Sequence, residues 1–297
     1  MGSKLKRWLI RGGLVILAIA IVAAAYMYYQ MRSRGFWRIP VYETVAPNVP
    51  PLTHPAILVF SKTNSFIHVE AIPAAETLIQ ALGKKHGWSV YVTENGAINN
   101  PKDLAKFDTV IWNNVTGNVL TTDQQNALVN YLQNGGGWIG LHGAGDSSSD
   151  WDWYKQTLVG AIFIGHPYPN QFQTATMQIE NRDDPIVNHL GTSWTRVDEW
   201  YSFEQSPRKE GVQILATLDE STYTQVLMDK DISMGADHPI IWKRCVENGR
   251  AFYSALGHTA ESYSEPDYVT LLERAIAWTA GLEGTGCAKD SAGIQEQ

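Results

Sequence analysis

The chain has 297 residues, 44% of them hydrophobic and 18% charged, the composition of a folded protein rather than a disordered or low-complexity one. Its formal charge of −7 hides an asymmetry: residues 1–42 hold seven basic residues and no acid, so the remainder carries 16 basic and 30 acidic residues, net −14. A body that acidic repels phosphate backbones and shows no basic stripe, which argues against nucleic acid as a partner.

The basic residues bracket an apolar segment. Lys4, Lys6, Arg7 and Arg11 precede an uncharged run from Gly12 to Gln30, and Arg32, Arg34 and Arg38 follow it. Trp8–Tyr29 supplies 22 residues, where about 20 are needed to cross a bilayer. Trp8, Tyr26, Tyr28 and Tyr29 stand where interfacial aromatics belong. Residues 1–30 are therefore expected to be a membrane anchor, with a transmembrane helix over 8–29. A cleaved signal peptide with Ala23-Ala-Ala25 as its processing site is the alternative, but the apolar run continues past Ala25 without a polar region. Four basic residues before the span against three after it put the N-terminus inside and the large domain outside.

Residues 31–55 hold Pro40, Pro47, Pro50, Pro51 and Pro55, which predicts an extended tether. Strand and helix patterns then alternate. Ala56–Ser61, Trp88–Thr93, Thr109–Asn113 and Trp138–Leu141 read as buried strands. Between them Ile72, Ala75, Ile79 and Leu82 recur at helical spacing, and Thr121-Thr-Asp-Gln124 is a capping box for a second helix that ends at Gly135. Residues 174–180, 196–203, 212–218, 239–246 and 250–256 look like strands with little helix between them. A last helix opens near Pro266 and stops at Gly281. The pattern predicts a parallel core sheet with antiparallel strands added, one domain over 56–282 and a tail over 283–297.

Chemistry concentrates on histidines. His142 stands at the tip of Gly140-Leu-His-Gly-Ala144, a strand-to-turn junction of the kind that carries a nucleophile in many α/β enzymes. An imidazole moves protons or binds metal but is a poor acyl acceptor. His68, His166, His238 and His258 also lie at or just beyond strand ends, where open α/β sheets bind ligands. Asp146, Glu199 and Glu261 supply carboxylates nearby in sequence. Such a set suits acid–base catalysis or a hard divalent ion, although no HExxH or comparable spacing fixes a metal. Trp153, Trp200 and Tyr263 are candidates for packing against a sugar face. Gly135-Gly-Gly-Trp-Ile-Gly140 precedes its strand instead of following it, which excludes a dinucleotide loop. Cys245 and Cys287 form no metal-binding pattern; on the outer side of a membrane they can bridge, fastening the tail to the last sheet.

The ordered motifs Phe66-Ile-His-Val-Glu-Ala-Ile-Pro73, Gly137-Trp-Ile-Gly-Leu-His-Gly-Ala144, Asp150-Trp-Asp-Trp-Tyr154, His166-Pro167, Asp198-Glu-Trp-Tyr-Ser-Phe203, Asp237-His-Pro239, Gly249-Arg-Ala-Phe-Tyr253 and Leu256-Gly-His-Thr259 resemble the ThuA-like, or trehalose-utilization, family over about residues 55–282. The resemblance implies a three-layer, flavodoxin-like sandwich similar to class I glutamine amidotransferases, and a link to trehalose or keto-sugar metabolism. In those amidotransferases a cysteine occupies the elbow, with a histidine and a glutamate after a late strand. Here the elbow holds His142, while His258 and Glu261 occupy a similar late position, so thioester chemistry is not expected. The expected function is an enzyme acting on carbohydrate, with His142 and His258 exchanging protons and Asp146, Glu199 and Glu261 orienting or tuning them. His68, His166 and His238 would then bind substrate. The rival is a non-catalytic sugar-binding module at the cell surface.

Overall fold

The computed structural model describes residues 2–287, so residues 288–297 of the expected tail lie outside the described residues. Helix α1 (Ser3–Ser33) is solvent-exposed along almost its whole length and is long and apolar enough to cross a membrane, a property shared with signal sequences. The first half of the chain then forms β1 (Ala56–Phe60), α2 (Ala71–His86), β2 (Ser89–Thr93), the single turn α3 (Pro101–Leu104), β3 (Thr109–Asn113), α4 (Thr122–Gln133) and β4 (Gly137–Leu141). The second half adds β5 (Phe163–Gly165), β6 (Phe172–Ile179), β7 (Ser193–Glu199), β8 (Ser202–Phe203), β9 (Val212–Asp219), β10 (Val226–Leu227), β11 (Lys230–Asp231), β12 (Pro239–Val246), β13 (Gly249–Ser254) and α5 (Pro266–Thr279).

One nine-stranded sheet organises the fold, in the order β2-β1-β3-β4-β13-β12-β9-β6-β7. The contacts from β2 through β1, β3 and β4 to β13 are parallel, and those from β13 through β12, β9 and β6 to β7 are antiparallel. The parallel half is thus the flavodoxin-like order. Every residue of β1, β3 and β4 is buried, which requires cover on both sheet faces and explains why these strands read as unbroken apolar runs. β6 and β7 instead alternate buried and exposed residues, as a wing with one wet face must.

Local chemistry sets the helix ends. The Thr121 hydroxyl accepts from the Gln124 amide while the Gln124 side chain accepts from the Thr121 amide, closing the capping box of α4. α2 stops at Gly87, whose φ of 73° suits glycine. α5 begins with Pro266 and buries Tyr268, Leu271, Leu272, Ala275 and Ile276 against the sheet. Two strand expectations change. The run 196–203 is broken after Glu199 and resumes as β8, which pairs with β5 instead of continuing β7. The β10–β11 hairpin has no counterpart in the sequence reading, because strands of two residues carry no periodic signal.

The proline-rich segment is not a free spacer. Arg34 O accepts from Ile67 N, Asn64 bonds both Val41 N and Val41 O, and Val49 is buried in the core. Glu43 binds Lys62 Nζ through both carboxylate oxygens, at 2.7 and 2.8 Å, and accepts from Gly96 N. The segment is therefore a strap laid along the domain, held by partners distant in sequence that its composition does not reveal.

Lys62 is only 4% exposed, so its ammonium depends on Glu43. Burial alone would raise the Glu43 carboxyl, but the hydrogen bonds from Lys62 and Gly96 outweigh it and hold the group below its ordinary 4.5. We expect Glu43→Gln to destabilise the protein by about 2 kcal/mol at pH 7, less than a fully buried pair because Glu43 is partly wet. A depressed carboxylate contributes stability that is present above its unfolded value and lost as pH falls through the folded one. The gap between wild type and variant should accordingly close below about pH 4.5. Guanidinium unfolding of both proteins at several pH values measures it; a gap independent of pH would remove the ion pair as its cause.

Candidate active site

Four side chains from four parts of the chain converge. His68 lies in the loop between β1 and α2, His142 follows β4, Glu199 ends β7 and His258 follows β13. One nitrogen or oxygen atom from each lies within 4.8 Å of all the others. β7 is four places from β13 in the sheet order, so Glu199 reaches the histidines only because the antiparallel wing curls back over the carboxyl ends of the parallel strands.

The local backbone is shaped for this approach. His142 has φ +41°, the left-handed region that residues other than glycine rarely adopt, and this turns its ring off the end of β4. A Cβ at Gly143 would come within 2.9 Å of the His68 ring, and one at Gly145 within 2.0 Å of the Tyr253 hydroxyl. Tyr253 in turn donates to His142 O at 3.0 Å. The small residues of the elbow thus admit the neighbouring rings.

Hydrogen bonds orient the cluster. His142 Nδ1 lies 2.7 Å from Ala255 O. A carbonyl only accepts, so Nδ1 carries the hydrogen, and Nε2 of the neutral ring is a lone pair. That Nε2 faces Glu199 Oε2 at 3.2 Å and His258 Nδ1 at 3.0 Å, while His258 Nδ1 is 3.0 Å from the same carboxylate oxygen. A lone pair cannot face a carboxylate without a cation between them; a proton or a metal ion must sit there. Burial pulls the His142 imidazole down, but the hydrogen bond and charge of Glu199 outweigh it and raise the group. Burial pushes Glu199 up, yet His142 and His258 together hold its carboxyl far below the usual range. His68 is driven well down, first by burial and then by repulsion from His142 and His258, and its Nδ1 is buried without a partner.

The other oxygen of Glu199, Oε1, accepts from Gln171 Nε2 and lies 3.3 Å from His166 Nδ1. Asp198 faces the other way. It accepts from the backbone N–H of Gly257 at 2.9 Å, His258 at 3.2 Å and Glu199 at 2.9 Å, and pairs with Arg196 at 3.3 Å. It is a positioning residue for the His258 loop. Asp146 is at the rim of the elbow and keeps a solvent-exposed edge; the protein packed around its carboxyl pushes it up, His142 draws it partly down and the charge of Glu199 adds, leaving it raised to about 6.

The sequence candidates divide. His68, His142, His258 and Glu199 meet, with His166 and Asp146 beside them. The others do not join them. His238 is fully buried with Nδ1 2.7 Å from Glu220 and Nε2 2.8 Å from Tyr201 O, so neither nitrogen is free for a substrate. Glu261 is exposed on the turn before α5 and contacts no member of the cluster. Trp200 is fully buried and donates to Gln173 O at 2.7 Å, Trp153 stacks on Trp151, and Tyr263 donates to Gly257 O at 3.0 Å while accepting from Asn114. None of these three rings lines the cavity at the cluster; Trp200 and Tyr263 are buried in the fold, and Trp153 is half-buried against Trp151. Gln171, Phe66 and Phe172 do line it and are missed by the sequence reading; a glutamine in a loop and single phenylalanines give no signal in one sequence. This cavity is about 400 Å³ and is walled by His68 and His258. A larger one, about 640 Å³, lies between α3, α4 and Cys287 and touches none of the clustered residues. Cys245 and Cys287 are joined in a disulfide that ties the end of the described chain to β12.

The sequence profile of the ThuA family, described as trehalose utilisation, matches residues 56–279, and the chain belongs to this family. No curated protein is matched. Among solved structures, a ThuA-like protein of Bacteroides uniformis is 24% identical with a TM-score of 0.66, over 79% of this chain and 95% of that one. A ThuA-like protein of Parabacteroides merdae is 17% identical with a TM-score of 0.57, over 80% and 92%. Both likenesses are of fold, and the family gives the chain a carbohydrate-related role.

Asp198 offers a test of how the site is held. Replacing it with Asn sets an amide donor against backbone donors and strips Arg196 of one of its two carboxylates. We expect a loss of about 3 kcal/mol in unfolding free energy. An effect under about 0.5 kcal/mol, the range of an ordinary surface change, would show that the His258 loop is held by other contacts.

Proposed function

We propose that the protein is a membrane-anchored enzyme acting on carbohydrate of the trehalose-like or keto-glycoside class, with a divalent metal ion held by His68, His142, His258 and Glu199. The observation that carries the metal is the convergence of three imidazoles and one carboxylate, with one atom of each within 4.8 Å of the others, and the His142 tautomer leaves Nε2 of the neutral ring free to join them. Ala255 O fixes the hydrogen on Nδ1, which aims a lone pair at a buried carboxylate and a second imidazole. The buried, unpartnered Nδ1 of His68 beside them is a second sign of a ligand set for a cation. Separations of 3.0 to 3.2 Å among His142, His258 and Glu199 suit ligands of one small ion, since tetrahedral bonds of about 2.0–2.1 Å set ligand atoms about 3.3 Å apart. Three imidazoles and one carboxylate match zinc and its neighbours better than magnesium or calcium.

Such an ion supplies Lewis-acid polarisation of a sugar carbonyl or hydroxyl. The chain's own residues do the rest. Gln171 and His166 hold Glu199 in place, and Ala255 O holds the His142 ring. Asp146, raised to about 6, is poised to give and take a proton near neutral pH. Proton transfer next to a keto group fits this set. If no metal binds, the same tautomer requires a proton shared between His142 and Glu199, and the site then works by imidazole acid–base chemistry alone. Glutamine amidotransfer lacks its nucleophile: His142 stands at the elbow, and both cysteines are in the disulfide. The charge bias around α1 supports a domain on the outer side of the membrane, and the disulfide is what an oxidising compartment permits.

The test begins with metal content. Full-length protein purified in detergent without chelator should carry about one divalent ion per chain. His142→Ala and His258→Ala should each lose it, with turnover of keto-disaccharides falling at least about 100-fold. Far-ultraviolet dichroism checks that the variants fold. Folded wild type that takes up no zinc, manganese or cobalt would eliminate the metal. Sugar affinity without product, in protein loaded with each metal, would leave a binding module.

The pH profile adds an independent check. Activity that needs Asp146 as a base should rise through about pH 6, and Asp146→Asn should remove that limb. An identical limb in the variant would assign the titration elsewhere.

A further inference from the structure

Resting on the reading of a membrane-anchored, sugar-directed centre, we infer that its substrate is presented at the bilayer surface, as the saccharide headgroup of a membrane amphiphile rather than a sugar free in solution. The inference starts from the attachment of the anchor. α1 ends at Ser33, and the next residue, Arg34, already lines the cavity walled by His68 and His258. No slack separates the two. A Cβ at Gly35 would come within 2.1 Å of Ser65 O, so only glycine permits the contact that clamps the helix end to the loop carrying His68. Ile67 N donates to Arg34 O at 2.9 Å, and Arg38 Nη1 to Thr63 at 3.0 Å.

A continuous row of rings joins the helix to the centre. Tyr28 stacks on Trp37 at 5.8 Å, Trp37 meets Phe36 at 6.2 Å, Phe36 meets Phe66 at 6.1 Å, and Phe66 lies 4.9 Å from the His68 ring. If Trp8–Tyr29 spans the bilayer, Trp37 and Phe36 stand at headgroup level and the cavity opens just above them. The mouth mixes exposed apolar side chains with charge: Phe172 (44% exposed) and Val69 (40%) line it together with Arg34 and Glu70, and the exposed Trp37 (62%) and Phe36 (44%) stand beside it on the side of α1. Exposed aromatics beside a membrane helix suit the interface, where one side of the ring is apolar and the other hydrated. Arg34 makes no ion pair among the described residues and faces this rim, within reach of lipid phosphates. A headgroup enters this mouth without leaving the membrane, and its chains remain in the lipid.

The test compares one saccharide in two presentations. A keto-disaccharide is supplied either free or joined by a short spacer to a dialkyl chain in phosphatidylcholine vesicles holding the full-length, metal-loaded protein. Confinement to the same surface should make the anchored form react at least about tenfold faster at equal bulk concentration. A rigid helical insert of about 20 residues between Ser33 and Arg34 lifts the mouth by about 30 Å. It should abolish that advantage and leave turnover of the free sugar within about twofold. Equal rates for both presentations would overturn the inference while the sugar chemistry stands. No turnover of either would overturn the substrate reading and this inference with it. A second readout needs no activity: a fluorophore on Val69→Cys, the single free thiol beside the native disulfide, should be quenched by headgroup-labelled nitroxide lipid. The insert should relieve that quenching. A label that is never quenched would overturn the inference whatever the rates.

Discussion

The bond between His142 Nδ1 and Ala255 O decides the chemistry of the site. A backbone carbonyl cannot donate, so this contact puts a hydrogen on Nδ1 of a fully buried ring and makes its other nitrogen an acceptor whenever the ring is neutral. Everything opposite that nitrogen is then constrained. Glu199 is also an acceptor, and its carboxylate is kept ionised by the imidazoles around it. Two acceptors and a second imidazole at hydrogen-bond distance need a proton or another cation among them. The fold delivers the carbonyl by ending β13 beside β4, in the same register that pairs Ser254 with Leu141. The parallel core is therefore what aligns Ala255 with the elbow.

The antiparallel wing supplies the opposing charge. Asp198 and Glu199 are adjacent residues with opposite tasks. Asp198 gathers the N–H groups of Gly257 and His258 and fixes the loop on which the third histidine stands, whereas Glu199 faces the rings. A regular strand points neighbouring side chains to opposite faces, so the last two residues of β7 serve both sides of one loop. The break after Glu199 follows from the same demand, because a strand continuing through Trp200 would carry the chain past the site.

Much of this is legible in the amino-acid sequence. Apolar runs bounded by turn residues mark the parallel strands, and the capping box at Thr121 marks the start of α4. Histidines at strand ends point to four of the clustered or adjacent groups, because strand ends and residue type are both local properties. What escapes is non-local. His238 immediately precedes β12 whereas His258 follows β13, and because these strands are antiparallel both stand at the same end of the sheet, yet Glu220 and the Tyr201 carbonyl occupy His238. Trp200 stands beside two acids, as a sugar platform would, but its indole is turned into the core toward Gln173 O. Glu261 rests on the amidotransferase likeness, and the carboxylate comes instead from β7, a strand those motifs do not connect to the elbow. The strap escapes for the same reason: prolines predict extension, and only the pairing of Glu43 with Lys62 reveals that the extension is docked.

The burial of the elbow limits how it can act. His142 is 0% exposed, so it cannot meet a substrate directly and exchanges protons only through its partners Glu199 and His258. The open edge of the cluster is formed by His258, with 11% of its side chain exposed, and by His68 at the cavity wall. The cluster is therefore open only on the His68–His258 side, and His142 faces that side through Glu199 and His258. In a nucleophile elbow the tip residue is presented to the substrate. Here the same strained turn presents its residue to a carboxylate instead. The elbow forms the floor of the cluster, and the cluster's open edge lies one residue layer outward, toward Phe66 and the end of α1.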